Sequence, residues 1–283
     1  MKEIVILSGK GGTGKTSIAG SFAVLAHNKV LADCDVDAAD LHLILNPSLK
    51  KENEFWSGKI AHIDDVLCTG CGLCEEQCHF NAIASFTVDS RSCEGCGFCS
   101  HICPAGAITM IDNMAGHLYI SETGYGTLVH ARLGIAQENS GKLVALVRQT
   151  AREIVEEQNC DYLITDGPPG IGCPVISSLS GAHLALLVTE PTLSGLHDLE
   201  RIIQVSHHFG VPAIACINKY DINDENCTAI ENYCSSQNVP VSAKIPFDNM
   251  VTEALIKGSP VVNYPHSKAA IAIKSLWERI RNM

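Results

Sequence analysis

A glycine-rich loop connects the first apolar run of the chain to a segment with helical periodicity. Residues 3–8 have the character of a buried strand and residues 15–27 that of a helix, with GKGGTG between them. Glycines at such a junction let backbone amides curl around phosphate oxygens, and the positive end of the following helix points at them. The order of strand, loop and helix therefore predicts an α/β fold that binds phosphate where its first strand ends.

Further apolar runs alternate with helical stretches along most of the 283 residues. Expected strands cover residues 30–33, 162–166, 184–189, 213–218 and 242–245, and expected helices cover 142–158, 195–209, 225–237 and 268–281. Strands that are apolar on both faces and separated by helices are typical of a parallel sheet with helices packed on both sides. The predicted fold class is thus α/β, a P-loop NTPase with a mainly parallel sheet, built from residues 1–56 and 115–283.

Eight of the fourteen cysteines lie within residues 68–103, as two copies of the spacing CxxCxxCxxxC. A [4Fe–4S] cluster needs four converging thiolates, and a CxxCxxC turn supplies three of them from one loop. In two-cluster ferredoxins the fourth cysteine of each run ligates the other cluster. The predicted ligand sets are therefore Cys68, Cys71, Cys74 and Cys103 for one cluster, and Cys93, Cys96, Cys99 and Cys78 for the other.

Residues 57–114, which contain both cysteine runs, are predicted to form an inserted small α+β domain of the bacterial ferredoxin kind. Such a domain has few core residues, so cluster ligation is expected to supply much of its folding free energy, and the cluster-free domain is expected to unfold. Disulfide bonds are one alternative, but the chain starts with a short strand-like run instead of a signal peptide. Zinc is the other, and it favours paired CxxC motifs with a longer spacer. The first run departs from the usual pattern at one position: Cys78 is followed by His79, whereas Cys103 of the second run is followed by the usual proline, Pro104.

The side chains of the phosphate loop and of two later strand ends have expected roles in nucleotide chemistry. Lys15 is placed to reach the β- and γ-phosphates, and the Thr16 hydroxyl to ligate magnesium. The expected nucleotide-binding set is Gly11, Gly12, Thr13, Gly14, Lys15, Thr16 and Ser17. Asp35 is positioned to orient or deprotonate the attacking water, and Asp166 to hold magnesium through water.

The sequence KGGTGKT, with its first lysine at position 10, resembles the deviant Walker A loop of the MinD, ParA and Mrp group, which includes the nitrogenase iron protein. The resemblance extends through DCD at 33–35, DGPPG at 166–170, VTEPT at 188–192 and NK at 218–219. Together with the insertion, the chain is similar to MinD-superfamily ATPases that carry an inserted ferredoxin domain. The resemblance implies slow ATP hydrolysis in a homodimer that sandwiches ATP, with Lys10 reaching the phosphates of the facing subunit.

Three further roles follow only from the resemblance. Asn218 matches the family's adenine-reading position, with a turn asparagine as the alternative, and Pro246 is expected to flank the base. Cys173, seven residues after Asp166, lies at an offset similar to that of a cluster-ligating cysteine in the nitrogenase iron protein. In a face-to-face dimer two copies of Cys173 could share a metal, although a buried or merely reactive thiol is the favoured interpretation.

Composition excludes several classes of partner. The formal charge of −11 argues against nonspecific binding to nucleic acid or to an anionic membrane, since both need concentrated positive charge. Apolar runs stop well short of the roughly 20 residues that span a bilayer. A C-terminal stripe of Ala270, Ile273, Trp277 and Ile280 fits either a membrane-surface helix or packing on the sheet, and packing is favoured. Reduced or ligating cysteines in an untargeted chain indicate a cytoplasmic protein.

These features predict an ATP-binding and ATP-hydrolysing dimeric iron–sulfur protein, with ATP, Mg²⁺ and two [4Fe–4S] clusters as cofactors. In the leading hypothesis its nucleotide state is coupled to electron transfer to an unknown redox or metallocluster client protein. One alternative is an ATP-dependent carrier or maturation factor for iron–sulfur clusters or metalloclusters, and another is a ParA-like or MinD-like positioning ATPase that senses redox state. Complete cysteine quartets suit permanent redox centres better than labile cargo, so electron transfer leads.

Overall fold

The computed structural model describes residues 1–135 and 139–283, and the chain divides into two compact units. The first unit comprises Met1–Glu52, Leu118–Arg132 and Ser140–Met283, and the second comprises Asn53–His117 and Leu133–Asn139. Residues 57–114, the predicted inserted domain, lie within the second unit. Their identity as a ferredoxin-like domain stays a prediction.

The described residues form both long and very short elements. The strands are β1 (Lys2–Ser8), β2 (Lys29–Asp33), β3 (Ser48–Ile63), β4 (Ile83–Ala84), β5 (Thr87–Val88), β6 (Ile108–Thr123), β7 (Gly126–Leu133), β8 (Tyr162–Pro169), β9 (Leu184–Thr189), β10 (Ala213–Asn218) and β11 (Val241–Ile245). The helices are α1 (Lys15–Leu25), α2 (Leu41–Leu45), α3 (Leu73–Glu76), α4 (Phe98–Ile102), α5 (Ser140–Gln158), α6 (Cys173–Leu179), α7 (Leu193–His208), α8 (Asp224–Ser236), α9 (Asn249–Ile256) and α10 (Lys268–Arg281).

The sheet of the first unit is mainly parallel. Its strands follow the order β11-β10-β9-β1-β8-β2-β7, and each neighbouring pair in this series runs parallel. Beyond β7 the order continues with β6 and β3, of which residues 118–123 and 48–52 belong to the first unit. The predicted α/β fold with a mainly parallel sheet is therefore confirmed.

Alternate residues of β1 belong to two separate apolar clusters, one on each face of the sheet. Ile4 and Ile6 are buried with residues of α1 and α10, whereas Val5 and Leu7 are buried with residues of α6 and α7. Because successive side chains of a strand point to opposite faces, both faces of this sheet are covered by helices. The near-continuous apolar run of β1 is the sequence signature of that double burial.

The four residues of the C-terminal stripe lie in the first of these clusters and are all buried. The indole ring of Trp277 lies 5.0 Å from the ring of Phe22 and 5.3 Å from that of Tyr162, measured between ring centroids. The prediction that α10 packs against the sheet is therefore confirmed. No described helix is long and apolar enough to cross a bilayer.

The second unit is built around a small apolar cluster, whose five buried members are Ala61, Ile63, Cys74, Ile83 and Ile108. The unit contains most of the long strands β3 and β6, the short antiparallel pair β4 and β5, and helices α3 and α4. Lys59 on β3 pairs with Asp112 on β6 at 3.2 Å. Most side chains of β3 are exposed, so no apolar run marks this strand in the sequence.

Candidate functional site

The phosphate loop is tight on one side and open on the other. Gly14 has a φ of 94°, and a Cβ at this position would lie 2.4 Å from the side-chain nitrogen Nδ2 of Asn218. At Gly11 and Gly12 a Cβ would meet nothing within 4 Å. The open side faces a cavity of about 680 Å³, lined by Gly11, Gly12, Gly14, Lys15, Thr16 and Ser17 from the loop and by Asp35, Asp37, Asp40, Pro168, Pro169 and Pro174 from later segments, among others.

Asp166 carries a buried carboxylate beside the start of α1. Its Oδ1 has no hydrogen-bond partner among the described residues, while the side chain of Thr16 hydrogen-bonds to the carboxylate. Burial raises the pKa of Asp166 to about 7, against the opposing effects of Thr16 and of the Lys15 ammonium. A buried oxygen without a partner next to a hydroxyl is a donor set that fits Mg²⁺, directly or through water.

The Asp35 side chain is held at the cavity by a carboxylate two residues earlier. Asp33 is fully buried, and its two oxygens accept from the backbone N–H groups of Asp35 at 3.1 Å and Leu41 at 3.0 Å. Burial raises the pKa of Asp35, although Lys15 opposes the shift. The loop between the two hydrogen bonds thus presents Asp35 to the cavity that the phosphate loop lines.

Lys10 makes its contacts within the same chain, at the junction of β9 and α7. Its Nζ lies 3.6 Å from a carboxylate oxygen of Glu190 and 3.3 Å from the hydroxyl of Ser194. The other oxygen of Glu190 accepts from Lys219 Nζ at 2.5 Å. The role of Lys10 toward a facing subunit stays a prediction. Glu190 lies in the VTEPT segment of the family resemblance, but the sequence predicts no role for it, because its contact with Lys10 is formed only in the folded chain.

The two residues predicted to contact the base, Asn218 and Pro246, lie at the C-terminal ends of the neighbouring strands β10 and β11. Asn218 ends β10, and its Nδ2 donates to the backbone oxygen of Thr13 at 2.8 Å, while its Oδ1 accepts from the N–H of Lys219. Pro246 follows β11 directly and is half-buried. Asn218 therefore braces the phosphate loop here, and the adenine-binding roles of both residues stay predictions.

The eight cysteines of the two runs divide between two cavities of the second unit. One cavity, of about 180 Å³, is lined by Cys78, Cys93, Cys96 and Cys99, and a smaller one is lined by Cys68, Cys71, Cys74 and Cys103. Each cavity thus receives three cysteines of one run and the fourth of the other, which is the same division as in the predicted ligand sets.

The chemistry of these quartets fits an iron–sulfur cluster better than a single ion. All fourteen cysteines are free thiols, and no group of three or more His, Cys, Asp or Glu among the described residues is arranged around one metal ion. In a cubane each thiolate binds a different iron, so the sulfurs surround a volume instead of a point. Burial raises the pKa of the Cys74 and Cys99 thiols, and a bound cationic metal is what would keep them deprotonated.

The six cysteines outside the two runs differ in their exposure to solvent. Five of them are buried, as expected of small core residues: Cys34, Cys160, Cys216, Cys227 and Cys234. Cys173, the first residue of α6, is exposed, so the interpretation that it is a buried thiol is wrong. Whether it is a reactive thiol or a ligand shared by two subunits stays a prediction.

Comparisons with known proteins match nearly the whole chain. A family model described as the CobQ/CobB/MinD/ParA nucleotide binding domain matches residues 4–261. An uncharacterized protein of Methanocaldococcus jannaschii is 35% identical over 282 residues, which cover 99% of this chain and 96% of the relative. The iron–sulfur cluster carrier protein of Rickettsia typhi is 26% identical over 266 residues, which cover 93% of this chain and 66% of that protein.

Among solved structures, the septum site-determining protein MinD of Pyrococcus horikoshii, complexed with Mg-ADP, superposes with a TM-score of 0.60. Its sequence identity is 21%, and the match covers 99% of this chain and 95% of that chain. At this level of identity the likeness shows a shared fold.

Proposed function

Since this chain belongs to the CobQ/CobB/MinD/ParA nucleotide-binding family and is an ATPase, we propose that it couples its nucleotide state to electron transfer to a partner protein. The proposal assigns ATP and Mg²⁺ to the cavity beside the phosphate loop and two [4Fe–4S] clusters to the second unit. The observation that carries it is the division of eight cysteines into two crossed quartets, within one chain that also has a complete phosphate loop. Free thiols throughout suit a reducing cytoplasm.

The first unit's residues supply positioning and positive charge for phosphoryl transfer. Lys15 would neutralise the β- and γ-phosphates, and Thr16 with Asp166 would hold Mg²⁺. Among the described residues, Oδ1 of Asp166 has no hydrogen-bond partner. Asp35, which lines the same cavity, is proposed to orient the attacking water. Asn218 and Pro246 are the proposed base-side residues, at the ends of β10 and β11.

The active form is proposed to be a homodimer in which Lys10 reaches the nucleotide of the facing subunit. In the single chain Lys10 is held by Glu190 at 3.6 Å, and this pair is partly exposed. Exposed ion pairs contribute little free energy, about 0–1 kcal/mol. Lys10 can therefore leave Glu190 at small cost when a second subunit offers phosphates.

The second unit's cysteines are proposed to hold the clusters as thiolates. Cys68, Cys71, Cys74 and Cys103 form one ligand set, and Cys93, Cys96, Cys99 and Cys78 form the other. Clusters of this kind accept and release single electrons at potentials set by their surroundings. The backbone N–H of Ala82 donates to Cys78 Sγ at 3.3 Å, and such donors to sulfur raise the potential.

A carrier of iron–sulfur clusters is the second candidate. Its support is the 26% identity to the carrier protein of Rickettsia typhi across 93% of this chain. Two complete quartets favour electron transfer, because a cluster with four protein thiolates is not readily released.

Protein-film voltammetry of anaerobically purified protein, with and without MgATP, tests the proposal. Coupling between two sites is typically about 1–3 kcal/mol, which corresponds to a shift of about 40–130 mV in a one-electron potential. We expect a shift in this range for the wild type and none for Lys15→Ala, which cannot hold the nucleotide.

Two outcomes would count against electron transfer. Colourless protein that contains zinc instead of iron would refute the cluster assignment. An unshifted potential, combined with ready release of clusters to an apo-acceptor protein, would favour the carrier instead.

A further inference from the structure

A buried arginine on α5 contacts two other elements of the first unit. Arg148 is 4% exposed. Its Nε and Nη2 donate to the same carboxylate oxygen of Glu3 at 2.8 and 2.5 Å, and its Nη1 donates to the backbone oxygens of Ser177 and Ser180. One guanidinium therefore joins three segments that are far apart in the sequence.

The two elements that Arg148 contacts are both connected to residues that line the nucleotide cavity. Glu3 lies on β1, which leads at Ser8 directly into the phosphate loop. Ser177 and Ser180 lie at the C-terminal end of α6, and Pro174 in the first turn of that helix lines the cavity. Arg148 itself is not among the cavity's lining residues.

The contacts of Arg148 satisfy groups that would otherwise be costly to bury. The last carbonyls of a helix lack partners within the helix, and a cation placed there is favourable. Glu3 is 0% exposed, and a buried carboxylate needs a charged partner. Arg148 is one charged partner of Glu3, and Arg152 is the other: its Nε and Nη2 donate to the second carboxylate oxygen of Glu3 at 2.9 and 2.6 Å.

The opposite end of α6 is also packed against α5. A Cβ added to Gly141, in the first turn of α5, would lie 3.1 Å from the Cβ of Cys173. Ordinary van der Waals contacts between such carbon atoms are longer than this distance. The first turns of α5 and α6 are therefore packed too closely to accept a side chain at Gly141 without a shift. Helix α6 is thus held at its start by close packing and at its end by Arg148.

We propose that Arg148 is a positioning residue for ATP hydrolysis. It sets the position of α6, and with it the loop of residues 170–172 between β8 and α6, relative to the strand that ends at the phosphate loop. Displacing reacting groups by about 1 Å from a distance can cost about 100-fold in rate. The proposal requires only that the nucleotide occupies the cavity beside the phosphate loop, and it is independent of the clusters.

Arg148→Lys in the full-length, cluster-containing protein tests it. Lysine can keep a charge beside Glu3, but a single ammonium cannot reproduce the planar fork that also reaches two carbonyls. We expect kcat for ATP hydrolysis, measured at saturating ATP and protein, to fall about 10- to 100-fold. The Kd of a fluorescent ADP should change less than about two-fold, because the phosphate loop is unaltered. Arg152→Lys is the matched control, since Arg152 shares Glu3 but does not bind Ser177 or Ser180; it should leave kcat within about two-fold.

A second variant keeps the proposal testable if Arg148→Lys fails to fold. Gly141→Ala pushes on Cys173 without touching the buried charges, and alanine does not weaken a helix. It should show the same split, a lowered kcat with an unchanged Kd. A kcat within about two-fold of wild type in both variants, or a loss of kcat and ADP affinity in equal proportion, would overturn the proposal.

Discussion

Burial shifts the pKa values of acidic and basic side chains of the first unit in opposite directions. It raises the pKa of Asp166 to about 7, whereas it lowers the pKa of His130 to about 4, with the nearby His42 adding to the shift. In both cases the charged form is disfavoured because it loses hydration. At neutral pH His130 is therefore an uncharged ring, stacked against those of His42 and Tyr119 with centroids 5.8 and 5.1 Å away.

We expect His130 to make folding stability depend on pH below neutrality. In the unfolded chain His130 becomes protonated near pH 6.5, whereas in the folded chain its pKa is about 4. Between these pH values the unfolded state binds more protons than the folded state, so the free energy of unfolding falls as the pH drops. From pH 7 to pH 5 the wild type should lose about 1 kcal/mol more than His130→Gln, after allowance for the partial exposure of the ring. Urea unfolding, followed by fluorescence of the buried Trp277 in a Trp56→Phe background, measures the difference.

His266→Gln is the control for this experiment, because His266 is exposed in the same unit. It should keep the wild-type loss of stability between the two pH values. If His130→Gln also kept that loss in full, the assignment of the pH dependence to His130 would be wrong.

At the level of elements, two short helices explain how the cysteine runs exchange their fourth members. Cys74 lies in α3 and Cys78 follows that helix, while Cys99 lies in α4 and Cys103 follows it. Cys74 and Cys103 line one cavity, and Cys99 and Cys78 line the other. Each helix therefore carries the chain from one cavity to the other.

Paired alanine substitutions distinguish crossed from uncrossed ligation. In the crossed arrangement, Cys78→Ala with Cys93→Ala removes ligands from one cluster only and should leave about four iron atoms per chain. Cys78→Ala with Cys68→Ala removes a ligand from both clusters and should leave almost none. Iron analysis and EPR spectra of the reduced, anaerobic proteins measure this, with the core substitution Cys227→Ala as the control that keeps all its iron.

The reverse pattern, in which the pair Cys78 and Cys68 spares one cluster, would show that each run ligates its own cluster. That result would contradict the proposed ligand sets but would leave the presence of two clusters intact.

The whole molecule combines two units that are stabilised differently. The first unit has an apolar cluster on each face of its sheet. The second has five buried members in its apolar cluster, one of which is Cys74, and five more cysteines of the two runs pack against them. Small domains bury too little apolar surface to be stable without metals or disulfides, and every described cysteine of this one is a free thiol.

Removing iron should therefore unfold the second unit alone. After anaerobic chelation we expect the amides of residues 53–117 to lose most of their protection from hydrogen exchange, because metal binding supplies their folding free energy. Residues 140–283 should keep theirs, and the affinity for ADP should stay within about three-fold. Protection of residues 53–117 that survives the loss of iron would refute the expectation that clusters hold this unit together.

The buried strands of the parallel sheet could be predicted closely from the sequence. The expected strands at residues 184–189 and 213–218 coincide with β9 and β10, because strands that are apolar on both faces stand out in composition alone. The long strands β3 and β6 could not be predicted, since most side chains of β3 are exposed and β6 mixes buried, half-buried and exposed side chains without a regular alternation. What stabilises them is pairing with a partner strand, which no local pattern reveals.

For the site, the sequence by itself determined what depends on neighbouring residues: the phosphate loop between β1 and α1, and the two cysteine runs with their repeated spacing. Only the tertiary structure decided which distant groups meet them, such as Asn218 against Thr13, Glu190 against Lys10 and Glu3 against Arg148. The members of these pairs lie at least 145 residues apart in the chain. Their contact follows from the order of strands in the sheet and the packing of helices on it, and a motif encodes only the residues within its own loop.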